Sequence, residues 1–266
     1  MSADADWLAS MPETYDRCLG PALFAPYAEL VASTAAALAP RRILELAAGT
    51  GIATAELVRQ IPLAHVTATD LNEAMVARGA SQVPGARWQQ ADAQHLDFPD
   101  ESFDLVVCQF GVMFFPDKPA AFGEAARVMA AEARMVFTVW DTVATSDFPA
   151  ALTASLAAVL PDDAPDFLSR VPHGYADPEQ IRRDLHAGGL HVERMDRHVL
   201  RGHTDSADSL TRGFCLGTPL RFALEQRGSL DGLTKQLTDQ MRSRLGPGPV
   251  TGDLAAFLVT ARGAPN

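Results

Sequence analysis

Apolar positions along the chain switch repeatedly between a period of two and a helical period, and the switching predicts strands alternating with helices. Residues 15–39 carry Leu23, Tyr27, Leu30, Val31 and Leu38 at helical spacing. Pro21 and Pro26 punctuate this stretch and Pro40 stops it, so one or two helices precede the first strand. Ile43-Leu44-Glu45-Leu46 reads as a strand broken by one acid, followed by a glycine-bearing turn and a helix to about Gln60. HVTATD (65–70) alternates as a strand does, LNEAMVARGASQ (71–82) predicts a helix, and residues 86–89 a short third strand. The longest apolar run, FDLVVCQFGVMFF (103–115), predicts a strand buried on both faces. KPAAFGEAARVMA (118–130) then predicts a helix and ARMVFTVWD (133–141) a fifth strand.

Beyond Asp141 the texture changes. SDFPAALTASLAAVL (146–160) reads as a helix and PDDAPDFLSRVPHGYADPEQ (161–180) is rich in turn residues. Asp177, Pro178 and Gln180 have the spacing of an N-cap, first helical residue and third residue, and the helix they start ends at Gly188-Gly189. HVERMDRHVL (191–200) predicts a sixth strand, residues 206–245 are mostly helical, and DLAAFLVTAR (253–262) predicts a final strand. This order implies an α/β fold: a doubly wound, mostly parallel seven-stranded sheet with helical insertions over its binding edge. We expect a single domain over 1–266. Its parts are an N-terminal helical cover (1–40), a ligand-binding core (41–141), helical substrate-side insertions (142–176 and 201–250), and a final strand and tail (251–266).

Composition narrows the partners. With 266 residues, 47% of them hydrophobic, the chain can bury a sizeable core. A net charge of −11 opposes neutralisation of a phosphate backbone, so nucleic acid is not an expected partner. Lys118 and Lys235 are the only lysines, no basic run offers a membrane patch, and no segment has the length and apolarity of a membrane span. Cys18, Cys108 and Cys215 are odd in number and widely spaced, which suits reduced thiols and gives no zinc spacing. The expected location is cytoplasmic, and no metal site is expected.

The turn after the first strand carries the chemistry. Gly49 and Gly51 lack a Cβ, so a ligand can approach their backbone closely. The dinucleotide fingerprint asks for a small sixth residue, whereas Gly49-Thr50-Gly51-Ile52-Ala53-Thr54 ends in a β-branched one. Glu45, just ahead of the glycines, would repel a pyrophosphate but suits a cationic ligand, held directly or through water.

Taken together, ILELAAGTG, TATD, QQADAQHLDFPDESFDLVVCQFGVMFF and EAARV resemble the class I S-adenosylmethionine-dependent methyltransferases, closely over residues 40–141. Their order and wording are similar to the small-molecule group that includes ubiquinone and menaquinone methyltransferases. The resemblance implies a Rossmann-like methyltransferase fold, S-adenosyl-L-methionine as cofactor, and methyl transfer to O, N or C of a small-molecule acceptor. It puts the strand-end acid on Glu45 and the glycine turn on Ala47, Gly49 and Gly51, with Ala47 standing where glycine is commonest. The ribose-binding acid falls on Asp70, where one carboxylate can accept from both hydroxyls, while a helix N-cap near Asn72 is the alternative use. Leu71 and Met75 would lie against adenine or ribose. Asp92 and Ala93 would read the adenine edge, and Gln109 and Phe110 would hold the methionine part. Tyr15 resembles an N-terminal tyrosine that folds over the cofactor. The usual Pro-Gly-Gly turn before the fifth strand is replaced by Ala130-Ala131-Glu132-Ala133, which is expected to lengthen the preceding helix.

Transfer from a sulfonium needs positioning more than a catalytic triad. Where the acceptor is a phenol or amine, a histidine is the default base, and His173, in the VPHGYADP loop, is the best placed of the seven. Met113, Phe114, Trp140 and Tyr175, with Phe110 and Phe115, suggest a substrate-binding surface for an aromatic or apolar acceptor. A dinucleotide-dependent oxidoreductase and a non-catalytic cofactor-binding protein are the competing readings. A homodimer is the candidate assembly.

Overall fold

The computed structural model describes residues 12–263, so residues 1–11 of the expected N-terminal cover and 264–266 of the tail lie outside the described residues. Helical residues 12–19 (α1) lead through a π-turn, Gly20–Phe24, into α2 (Ala25–Ala37). Three strand–helix repeats follow: β1 (Arg42–Glu45), α3 (Ile52–Gln60), β2 (His65–Asp70), α4 (Glu73–Gln82), β3 (Arg87–Gln90), β4 (Phe103–Gln109), α5 (Lys118–Val128) and β5 (Met129–Trp140). The remainder comprises α6 (Asp147–Val159), α7 (Phe167–Arg170), α8 (Pro178–Ala187), β6 (Leu190–Thr204), α9 (Ala207–Gly217), α10 (Leu220–Glu225), α11 (Leu230–Leu245) and β7 (Val250–Gly263).

The seven strands form one sheet in the order β3-β2-β1-β4-β5-β7-β6, with β3 through β5 parallel and β7 antiparallel to β5. The order reverses between β1 and β4, and in open α/β sheets the crevice outside the carboxyl ends at such a reversal is where ligands bind. The glycine turn leaves β1 at that point.

Two compact units divide the chain. Among the described residues, one comprises 27–141, 175–198 and 256–263; the other comprises 12–26, 142–174 and 199–255. In the first, Val31 and Ala35 of α2, Ile43 of β1, Leu57 of α3, Leu105 and Val107 of β4 and Val136 of β5 make a core from which water is excluded. Burying the valine, isoleucine and leucine side chains among them stabilises the unit by about 1.5–3 kcal/mol each. In the second, α11 packs on α6 and α9 through buried Leu237 and Met241. No helix of the described residues is long and apolar enough to cross a membrane.

Two expected elements differ. The apolar run 103–115 is not one strand: β4 stops at Gln109, Phe110 takes φ +53°, and Val112–Phe114 form a 3-10 turn. Continuous apolarity marked burial, and the backbone reversal had no glycine at Phe110 to announce it. The second difference is at α5, which ends at Val128 and passes directly into β5 at Met129. The glycine-free segment therefore lengthens the strand instead of the helix, and the β4–β5 register shifts between Phe103 and Leu105 to absorb it. The helix start at Asp177 is as expected, its carboxylate accepting from the Glu179 amide at 3.0 Å.

Candidate functional site

Four left-handed residues cluster at the carboxyl ends of the two central strands: Ala47 (φ +52°), Gly49 (+58°), Gly51 (+94°) and Phe110 (+53°). For the non-glycine pair this conformation stores on the order of 1–3 kcal/mol each, and such strain concentrates where a fold is committed to function. The first three residues turn the chain from β1 into α3. The turn is tied down by Ala48 N–H donating to the Thr69 carbonyl at 2.9 Å and by Gly49 N–H donating to Asp70 Oδ2 at 2.9 Å. A Cβ on Gly49 would meet nothing within 4 Å, so the backbone there borders open space.

Glu45 lies beneath this turn, 1% exposed, between Ala68 of β2 and Val107 of β4. Its Oε2 has no hydrogen-bond partner. Burial pushes its carboxyl up to about 8; the Thr54 hydroxyl beside it pulls the other way, and the Asp70 charge adds to the rise. A neutral acid is the form that such a setting favours. The neighbouring Thr69 hydroxyl donates to the Glu45 carbonyl at 2.8 Å and fixes its backbone.

Asp70 closes β2 with Oδ1 accepting from Asn72 N–H at 2.8 Å while Oδ2 holds Gly49. The helix cap weighed for Asp70 is supplied by Asn72, whose Oδ1 accepts from Ala74 and Met75. Burial raises the Asp70 carboxyl, opposed by the amides of Asn72, Gly49 and Leu71. Leu71 is 66% exposed, its carbonyl held by Gln90, and Met75 is half-buried on α4. Asp92 Oδ1 accepts from the Gln94 backbone at 2.9 Å, which shapes the loop around buried Ala93. Gln94 Oε1 in turn accepts from Asp117 N–H, and Arg127 donates to the Leu96 and Phe98 carbonyls, so the loop is clamped to α5.

Beyond β4, Phe110 N–H donates to both the carbonyl and the hydroxyl of Thr138. The Phe110 ring stacks on Trp140 at 3.6 Å and 6°, and Tyr27 meets both rings edge-on. Trp140 is thus buried within an aromatic stack, Met113 is buried, and Phe114 remains 49% exposed. Tyr175 is held apart from this stack's chemistry: its hydroxyl donates to Asp184 at 2.9 Å, and Lys118 Nζ sits 4.9 Å over its ring. It lines an open cleft of about 370 Å³ with Asp117, Lys118, Gln180 and Asp184. Tyr15 and His173 belong to the other unit. Tyr15 stacks on Phe24 at 5.0 Å, and His173 is buried in a turn whose amide donates to Leu168, not exposed as an ordinary loop histidine would be.

The Methyltransferase domain family matches residues 44–137. A demethylmenaquinone methyltransferase of Clavibacter sepedonicus is 30% identical over 173 residues, 59% of this chain and 70% of that protein. The chain belongs to the class I S-adenosylmethionine-dependent methyltransferases. A malonyl-[acyl-carrier protein] O-methyltransferase of Halorhodospira halophila is 39% identical over 104 residues; that match spans 38% of this methyltransferase and about a third (35%) of the relative. Among solved structures, the YcgJ protein of Bacillus subtilis shares the fold with a TM-score of 0.57 at 20% identity, covering 90% of this chain and 98% of that one. The methyltransferase therefore uses S-adenosylmethionine, and two observations fit that group: a buried acid below the turn whose Oε2 has no partner, and open space over Gly49.

Thr69 and Thr138 are the parts of this site that sequence reasoning did not single out. Their signal was present as polar residues inside otherwise apolar strand ends.

Proposed function

We propose that this methyltransferase methylates a small aromatic or otherwise apolar organic acceptor. The observation that carries the reading is Phe114, a large apolar ring left 49% exposed on the turn that leaves β4. Covering such surface is favourable by about 25 cal/mol per Å², and an apolar acceptor laid on it would gain that free energy. The name of the quinone-type relative agrees with such an acceptor.

When bound, S-adenosylmethionine supplies an electrophilic methyl group, whose bond to sulfur breaks as the bond to the acceptor forms. In this reading the chain's residues position the two partners. Glu45 holds the positive end of the cofactor, Ala47, Gly49 and Gly51 let it approach the backbone, and Asp70 accepts from the ribose hydroxyls. Leu71 and Met75 cover the adenosine, Asp92 and the Ala93 amide read its adenine edge, and the Gln109–Phe110 backbone completes the cofactor set. Met113, Phe114, Trp140 and Tyr175 shape the acceptor side.

The test is incubation with methyl-labelled S-adenosylmethionine across phenols, quinols, amines and carboxylic thioesters. Label entering an aromatic acceptor in step with formation of S-adenosylhomocysteine is expected. Transfer only to a charged or thioester acceptor overturns the acceptor class, and tight cofactor binding without any transfer overturns catalysis.

A further inference from the structure

Trp88, on β3, lies against the glycine turn at Gly51. Its ring lies where Gly79 of α4 has no side chain: a Cβ there would fall 2.1 Å from Trp88 Cη2 and 2.3 Å from Cζ3. The same edge of the ring reaches Gly51, where a Cβ would stand 3.1 Å from both Cη2 and Cζ2, with Val83 Cγ2 next at 3.2 Å. The indole N–H donates to the Val83 carbonyl at 3.1 Å, at the C-cap of α4. In register, Trp88 pairs with Ala68 of β2, two residues before Asp70. One rigid side chain thus joins β3, the end of α4 and the first residue of the α3 cap.

Gly51 needs such a neighbour. It caps α3 at φ +94°, held through its backbone by Ala48 at 3.0 Å and Ala55 at 2.9 Å, and a glycine is the residue that loses most conformational freedom on being fixed. We propose that Trp88 is a positioning residue for the cofactor, its indole anchored on Val83, seated over Gly79 and supporting Gly51 so that the turn is ordered before the cofactor arrives. This rests on the reading that the turn at Gly49 and Gly51 holds the cofactor. The residue touches no reacting group; it acts through Gly51.

The experiment compares wild type with Trp88→Leu and Trp88→Phe by calorimetric titration with S-adenosylhomocysteine, by amide hydrogen exchange of residues 47–54 in the free protein, and by steady-state kinetics. Trp88→Leu is expected to weaken binding about tenfold, the factor that ordering one additional flexible residue carries. Its amides at 49–54 exchange about tenfold faster when free and regain protection when S-adenosylhomocysteine saturates the site. KM for S-adenosylmethionine rises while kcat at saturation stays within about twofold, a split that a merely structural packing role would not produce. Unchanged exchange and affinity in a folded Trp88→Leu protein overturn the proposal. If that variant does not fold, Trp88→Phe decides: about threefold changes in the same direction support the proposal, and wild-type values overturn it. Should wild type fail to bind S-adenosylhomocysteine, the reading of the turn itself falls, while free-state exchange still reports whether Trp88 orders Gly51.

Discussion

Replacing Glu45 by Gln keeps the shape of a buried side chain and removes its ability to ionise, which makes its pH dependence calculable. The carboxyl titrates near 8 in the folded chain and near 4.5 in its ordinary setting, because burial disfavours the charged form and Asp70 adds to that effect. A folded value above the unfolded one means that the unfolded chain gives up the proton first. The wild type is therefore most stable, as far as this group is concerned, below pH 4.5, and loses about 1.36 kcal/mol per pH unit above it until the folded carboxyl also ionises near 8. From pH 4.5 to pH 7 the loss amounts to about 3 kcal/mol, and to about 4 kcal/mol at pH 8. Glu45→Gln has no such slope. Paired urea denaturations of the two proteins from pH 4.5 to 8, followed by circular dichroism, should show the variant gaining on wild type by about 3 kcal/mol at pH 7. A stability difference that stays flat within about 0.5 kcal/mol across that range would refute a neutral buried Glu45. The cofactor arm has the opposite sign: its positive charge favours the ionised carboxylate, so binding near pH 7 should release a proton in wild type and none in Glu45→Gln.

Ala47 and Gly111 form a testable pair, since a Cβ on Gly111 would come within 2.5 Å of the Ala47 Cβ and 2.7 Å of Cys108 Sγ. Gly111→Ala should cost about 2 kcal/mol alone and about 1 kcal/mol less in an Ala47→Gly background, and a double-mutant cycle by denaturation that proves additive contradicts the contact. Asn72→Ala should destabilise by about 1 kcal/mol through loss of the α4 cap, with Asn72→Asp retaining most of it; equal Tm values would deny the cap. Arg127→Ala removes donors from Leu96, Phe98, Asp100 and Glu124, so we expect about 2 kcal/mol of destabilisation and faster hydrogen exchange at 92–100; unchanged exchange would show that the clamp is dispensable.

Local chemistry was largely legible in the sequence. The order of strands and helices, the glycine turn and the acid ahead of it could be read because period and residue type carry them directly. The break at Phe110 could not, because a left-handed phenylalanine is imposed by Thr138 and the Trp140 stack, partners 28 and 30 residues away along the chain. Asn72 took the cap expected as an alternative for Asp70 because Asn72 stands immediately ahead of α4, two residues beyond Asp70. Trp88 was invisible for a similar reason: its meaning lies in the absence of side chains at Gly51 and Gly79, which only the folded chain brings to one ring.

The most direct measurement is calorimetric titration of wild type and Asp70→Ala with S-adenosylmethionine. If the carboxylate at the end of β2 accepts from both ribose hydroxyls, two charge-assisted hydrogen bonds disappear in the variant, and binding should weaken on the order of 100-fold. Equal affinities in two folded proteins would contradict the placement of the cofactor at the turn between β1 and α3.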